Sequence, residues 1–74
     1  MKKDLLTILN DLLEENGLIK IKELNDTDHL MNDLGFDSLT LAHLTVIIEE
    51  EYGIDVFEKK VISTVGEIKE QLSE

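Results

Sequence analysis

Gly17 and Gly53 each close a run of apolar residues spaced as on a helix, and these two stops divide the chain. Leu5, Leu6, Ile8, Leu9, Leu12 and Leu13 fall largely on one side of a helix over about residues 3–16. Gly17 follows the last apolar position, where a left-handed residue ends a helix without a Cβ penalty. The second run predicts a helix from about residue 38 to residue 51 or 52, with Asp37 or Ser38 as its cap and Gly53 as its stop. Thr64-Val65-Gly66-Glu67 reads as a capping box ahead of Ile68 and Leu72, which predicts a last helix to about residue 73. Ile54, Val56 and Phe57 anchor the connection before it, and residues 58–62 suit a brief turn of helix.

Residues 18–37 form a long connection with apolar anchors at Ile19, Ile21, Leu24, Leu30 and Leu34. A loop of this length in a small domain is usually functional or pinned by such anchors. Ile19-Lys20-Ile21-Lys22 alternates like a strand but has no second strand to pair with, so it reads as extended loop. The expected fold is all-α: a small antiparallel four-helix bundle of three main helices and one short one, in a single domain over residues 1–74. A chain this short buries only about 60% of the surface its unfolded form exposes. It has no cysteine to staple it, so its stability must come from packed helices. The missing cysteines also give no sign of an oxidising compartment. Met1-Lys2-Lys3 leads into an amphipathic pattern rather than a continuous apolar run, and no stretch is long enough to span a bilayer. A cytoplasmic monomer is expected.

Seven basic residues stand against seventeen acidic ones, a formal net charge of −10. That balance opposes nucleic acid and anionic membranes and suits a basic protein surface. It also serves simply to keep a small domain soluble.

The second helix carries more apolar surface than one core contact needs. At about 100° per residue, Leu41, Leu44 and Ile48 share one face, with Thr45 and Tyr52 beside them. Leu39, Ala42 and Val46 lie nearly opposite. The Leu41 stripe is the better core candidate, which leaves the second stripe partly exposed beside His43 and Glu50 and flanked by Glu49. An apolar strip rimmed by charge is how a protein-docking surface reads. The alternative is that the long loop or the short third helix covers it. For Ala42 that cover serves as well, whereas docking is favoured for Leu39 and Val46.

The candidate residues raise three chemistries. A hydrolytic serine needs a base and an oxyanion hole, but Gly35-Phe36-Asp37-Ser38-Leu39 lacks the second glycine and the preceding strand of a nucleophile elbow. His43 lies well round the helix from Ser38, and His29 reads as a solvated loop residue. Asp26-Thr27-Asp28 opens like a calcium loop, yet Met31 and Asp37 fall where glycine and a bidentate glutamate are needed. Asp26 and Asp28 then read as turn formers and solvated charge, and no metal site is expected. The third chemistry is attachment of a phosphate-linked group. Asp33-Leu34-Gly35-Phe36-Asp37-Ser38-Leu39 places a hydroxyl at a helix N-terminus, where unpaired N–H groups and the macrodipole favour a phosphate.

Residues 33–56, from that motif through Glu49-Glu50-Glu51-Tyr52-Gly53-Ile54-Asp55-Val56, resemble the acyl carrier protein family, and Thr64 to Glu67 resemble the start of its last helix. The resemblance implies a non-enzymatic carrier with 4′-phosphopantetheine on Ser38, joined by a phosphopantetheinyl transferase from coenzyme A with a divalent cation. The thiol of the arm would hold acyl or aminoacyl groups for loading and condensing enzymes. It implies backbone room at Gly35, transferase recognition at Asp37 and a place for Leu39 beside the attachment site. It further implies a partner-binding face made of Leu39, Ala42, His43, Val46, Glu49 and Glu50. Ser63 and Ser73 lack this context.

Two departures from the family pattern stand out. Members serving fatty-acid synthesis usually carry acids where Thr40 and His43 stand here, and after Val56 the family often has a proline and a longer third helix. Both departures favour a carrier dedicated to a polyketide, nonribosomal-peptide or modified-lipid pathway. The alternatives are a fatty-acid synthase carrier and an unmodified acidic helical adaptor.

Overall fold

Each helix begins where a side chain satisfies an orphan amide. A computed structural model describes residues 3–57 and 62–72. Its helices are α1 (Leu5–Glu15), α2 (Ser38–Tyr52) and α3 (Val65–Leu72). The Thr7 N–H donates to Asp4 Oδ1 at 2.8 Å, and the Thr40 N–H donates to Asp37 Oδ1 at 2.8 Å. At α3 the capping box forms in full. Glu67 Oε1 accepts the N–H groups of Ser63 (2.8 Å) and Thr64 (3.0 Å), while Thr64 Oγ1 accepts from the Glu67 N–H at 3.3 Å.

The glycine stops also hold. Gly17 has φ 69°, and its N–H donates to the Glu14 carbonyl as the Leu18 N–H returns to Leu13 at 2.8 Å. That pair of bonds is a Schellman motif. Gly53 has φ 70° and donates to the Glu49 carbonyl at 2.8 Å.

Leu5, Ile8, Leu9, Leu12 and Leu13 of α1 meet Leu44 and Ile48 of α2 and Val65, Ile68 and Leu72 of α3 in one core. The connections add Leu30, Leu34, Phe36, Val56 and Ile62. Among the described residues the chain is all-α, with one isolated bridge between His29 and Thr64. The brief helical turn expected over residues 58–62 lies outside the described residues except for Ile62, which is buried. No helix among the described residues is long and apolar enough to cross a membrane.

Two expectations need correcting. The inward line of α2 runs through Thr40, Leu44 and Ile48, so Thr40 is 7% exposed while Leu41 is only partly buried. The hydroxyl of Thr40 lies 3.4 Å from Asn16 Oδ1 at the end of α1, which lets a polar residue face inward. In the long connection, Ile19 is 90% exposed and anchors nothing; Phe36, at 2%, takes that part. The extended stretch around Ile21 finds its pairing partner in a side chain. Asn10 Nδ2 donates to the Ile21 carbonyl and Asn10 Oδ1 accepts the Ile21 N–H, both at 2.8 Å. One amide thus replaces the missing strand.

The same connection is strapped to the start of α3. The Leu30 N–H donates to the Ser63 carbonyl (2.8 Å), Val65 to Asp28 (3.0 Å) and Gly66 to Asp26 (3.0 Å). Lys69 Nζ lies 2.8 Å from Asp26 Oδ1. These bonds fix the loop that runs on to Ser38.

The serine at the head of the second helix and the face beside it

Ser38 is the first residue of α2 and is exposed, directly after the N-cap Asp37. Among the described residues no group hydrogen-bonds to its hydroxyl. The cap residue before it has extended backbone, φ −100° and ψ −179°, which turns the chain sharply into the helix. Upstream, Gly35 has φ 87°, a conformation that strains any residue with a Cβ. Its requirement is the backbone angle rather than space, since an added Cβ would meet only Leu18 methyls at 3.4 and 3.5 Å. Phe36, between them, is buried and pins the turn. The sequence thus delivers an unengaged hydroxyl to the positive end of a helix dipole, a place suited to a phosphodiester.

Hydrogen bonds from Thr40, its backbone N–H first and its hydroxyl second, hold the Asp37 carboxyl below the ordinary aspartate range. At Asp4 the Thr7 hydroxyl has the same effect, followed by the Thr7 N–H. A depressed folded-state value gives stability that is present above the unfolded aspartate value and lost as pH falls through the folded one. Acidification below about pH 4 should therefore weaken both caps. Asp37→Asn keeps a capping oxygen without the titration, so its thermal midpoint should fall less steeply than wild type between about pH 4 and pH 2. Parallel curves would rule out this origin for the acid loss.

Leu39 is 79% exposed and Val46 52%, and Ala42, His43, Glu49 and Glu50 are exposed with them. No described residue covers this strip. A shallow groove of about 420 Å³ lies between Leu39, Thr40, Ala42, His43 and Val46 of α2 and Glu15 and Asn16 at the end of α1. A smaller hollow, about 350 Å³, is lined by Leu41, Ala42, Thr45 and Phe57. Asp11, ion-paired with Lys3 at 3.1 Å, and Glu15 join His43, Glu50 and Glu51 around a third, about 300 Å³. Sequence reading placed the strip but missed the α1 acids, whose nearness to α2 depends on which helix faces pack together.

His29 is not a solvated loop residue. It is half-buried, and its Nδ1 accepts the N–H groups of Met31 and Asn32. Asp26 and Asp28 serve the strap to α3, and among the described residues no group of three His, Cys, Asp or Glu could hold a metal ion.

Among the described residues, a small helical fold thus presents the exposed Ser38 hydroxyl at the head of α2, a place that suits a covalently held phosphate group. A family model for the phosphopantetheine attachment site matches residues 3–72. The chain is 34% identical over 56 residues to an acyl carrier protein homolog of Clostridium acetobutylicum, covering 76% of this chain and 54% of that one. It is 35% identical over 68 residues to an acyl carrier protein of Rickettsia bellii, with 84% and 79% covered. A mitochondrial acyl carrier protein of Neurospora crassa is 42% identical over 38 residues, covering 51% of this chain and 28% of that one. The chain therefore spans about half the length of the Clostridium relative. No solved structure gives a significant match. The chain belongs to the acyl carrier protein family, whose domain holds 4′-phosphopantetheine covalently and whose members are carriers, not catalysts.

Proposed function

We propose that Ser38 is the attachment residue and that the chain carries acyl or aminoacyl intermediates between the enzymes of a dedicated polyketide, nonribosomal-peptide or modified-lipid pathway. The observation behind the attachment site is the exposed, unengaged hydroxyl of Ser38 at the head of α2. The Ser38 oxygen would bond to the pantetheine-side phosphorus of coenzyme A as the pyrophosphate P–O bond breaks, adenosine 3′,5′-bisphosphate leaves and the hydroxyl proton passes to the transferase. The N-terminal dipole of α2 would stabilise the phosphodiester anion that remains. Asp37 holds the helix start in place through the Thr40 N–H, and Gly35 supplies the backbone angle that the approach requires. When bound, the arm supplies a terminal thiol that takes the carried group as a thioester.

The proposed partners are a phosphopantetheinyl transferase and the acyl- or aminoacyl-loading and condensing enzymes. They would dock on Leu39, Ala42, His43 and Val46, with Glu49 and Glu50 meeting basic residues at the far end. The dedicated pathway is supported by the upstream half of this face. Thr40 is turned inward, His43 stands where an acid would otherwise project, and no carboxylate of α2 precedes Glu49. A fatty-acid synthase carrier is the second reading, supported by the exposed Glu49 and Glu50.

Offered a malonyl-loading enzyme of fatty-acid synthesis alongside aminoacyl- and polyketide-loading enzymes, the phosphopantetheinylated protein should be loaded faster by one of the latter. Faster loading by the malonyl enzyme would move the assignment to fatty-acid synthesis. Leu39→Ala combined with Val46→Ala should slow loading about tenfold or more, as for truncated anchors of an interface. Because both side chains are largely exposed, stability should change by less than about 0.5 kcal/mol for each. A large drop in the thermal midpoint would instead make the strip part of the fold's support.

A further inference from the structure

A histidine organises the turn that leads into Ser38. His29 Nδ1 accepts the N–H groups of Met31 at 3.3 Å and Asn32 at 3.2 Å, and the His29 N–H donates to Asp33 Oδ2 at 2.6 Å. The His29 carbonyl accepts from Asp33 (2.9 Å) and Leu34 (3.1 Å). Met31 and Leu30 carbonyls then take the N–H groups of Gly35 (3.1 Å) and Phe36 (3.0 Å). The exchange is like that of a capping box, but it closes a turn, its carboxylate comes from the fourth residue on, and an imidazole stands where serine, threonine or aspartate normally serves. An imidazole that accepts at Nδ1 is neutral and carries its proton on Nε2. A second proton would occupy Nδ1 and set one N–H against two others.

We infer that His29 is a positioning residue for the modification of Ser38: its neutral imidazole folds the turn that presents the serine, and protonation at Nδ1 releases that turn. The inference rests on the reading of Ser38 as the attachment residue. Asp28 and Asp33 are the charged groups on the turn itself. From the α3 side come Glu67, which caps the bridge partner Thr64, and Lys69, which is paired with Asp26. None of these groups supplies the acceptor that Met31 and Asn32 would lose if Nδ1 took a proton.

His29→Asn separates the two roles, because its side-chain oxygen can accept at the cap without titrating, whereas His29→Ala removes the acceptor. The test is the rate at which a transferase, with coenzyme A and magnesium, adds phosphopantetheine to wild type and both variants from about pH 8 to about pH 5.5, the range in which histidine changes charge. Dividing each rate by that of His29→Asn at the same pH removes the pH profile of the transferase. The wild-type ratio should be near one at the upper end and fall roughly three- to tenfold at the lower, while His29→Ala should be slow by a similar factor throughout. A flat wild-type ratio, or His29→Ala matching His29→Asn at the upper end, would overturn the inference.

Protection factors of the Met31 and Asn32 amides read the turn without any transferase. They should drop on acidification in wild type and hold in His29→Asn; equal behaviour would again overturn it. If His29→Ala does not fold, the comparison of wild type with His29→Asn decides alone. If no protein takes up the group at any pH, the reading of Ser38 fails, and the two amides still decide the role of the imidazole.

Discussion

Ser38→Ala should leave the protein folded and wholly unable to accept phosphopantetheine. The side chain is exposed and makes no hydrogen bond among the described residues, and capping of α2 belongs to Asp37. Its removal should therefore change stability by less than about 0.5 kcal/mol, within the range of ordinary surface substitutions. The chemical effect is all or none, because alanine offers no oxygen for the phosphodiester. Intact mass and far-ultraviolet circular dichroism, measured on the same sample, separate these two effects. Retained partner binding by the variant, together with unimpaired biological function, would instead favour an unmodified acidic adaptor docking through Leu39 and Val46.

Gly66→Ala should destabilise the fold although it replaces glycine in a helix. Helix propensity alone would favour alanine by at most about 1 kcal/mol. Against this, a Cβ at position 66 would lie 2.9 Å from both Asp26 Cβ and the Asp26 carbonyl oxygen, and 3.2 Å from Asp26 Cα. Two of those three atoms are backbone, so relief requires the strap itself to move. Moving it stretches the Gly66 N–H bond to Asp26, now 3.0 Å, and disturbs the Lys69 pair. Overpacking of this kind costs about 1–3 kcal/mol and a lost hydrogen bond about 1 more, so the clash outweighs the propensity gain. The thermal midpoint should fall by roughly 5–20 °C in a domain of this size. An unchanged or higher midpoint would mean that the strap is loose enough to give way.

What the sequence disclosed, and what it hid, follows from how local each feature is. The stops at Gly17 and Gly53, the Asp37 cap and the box of Thr64 and Glu67 are set by residues within one turn of each other, so spacing suffices to read them. The proposed attachment motif, residues 33–39, is likewise contiguous. Thr40 escaped because its inward place depends on Asn16, a residue of another helix, and a polar side chain does not register in an apolar stripe. The same holds for Asn10, which completes the backbone bonding of Ile21 across the fold. Ile19 and Phe36 exchanged parts because apolar character alone cannot say which loop residue reaches the core. His29 was hidden for a different reason. An imidazole is rarely a cap, although Asp33 four residues later offered a hint of the reciprocal pattern.

A carrier of this kind takes one phosphopantetheine, on one serine. The most direct measurement is the intact mass of the wild-type protein after incubation with coenzyme A, magnesium and a broad-specificity phosphopantetheinyl transferase, followed by peptide mapping. One phosphopantetheine increment, carried by the peptide that contains Ser38, is the predicted result. A folded wild-type protein that gains no increment with two unrelated transferases, or gains it on another serine, would contradict it.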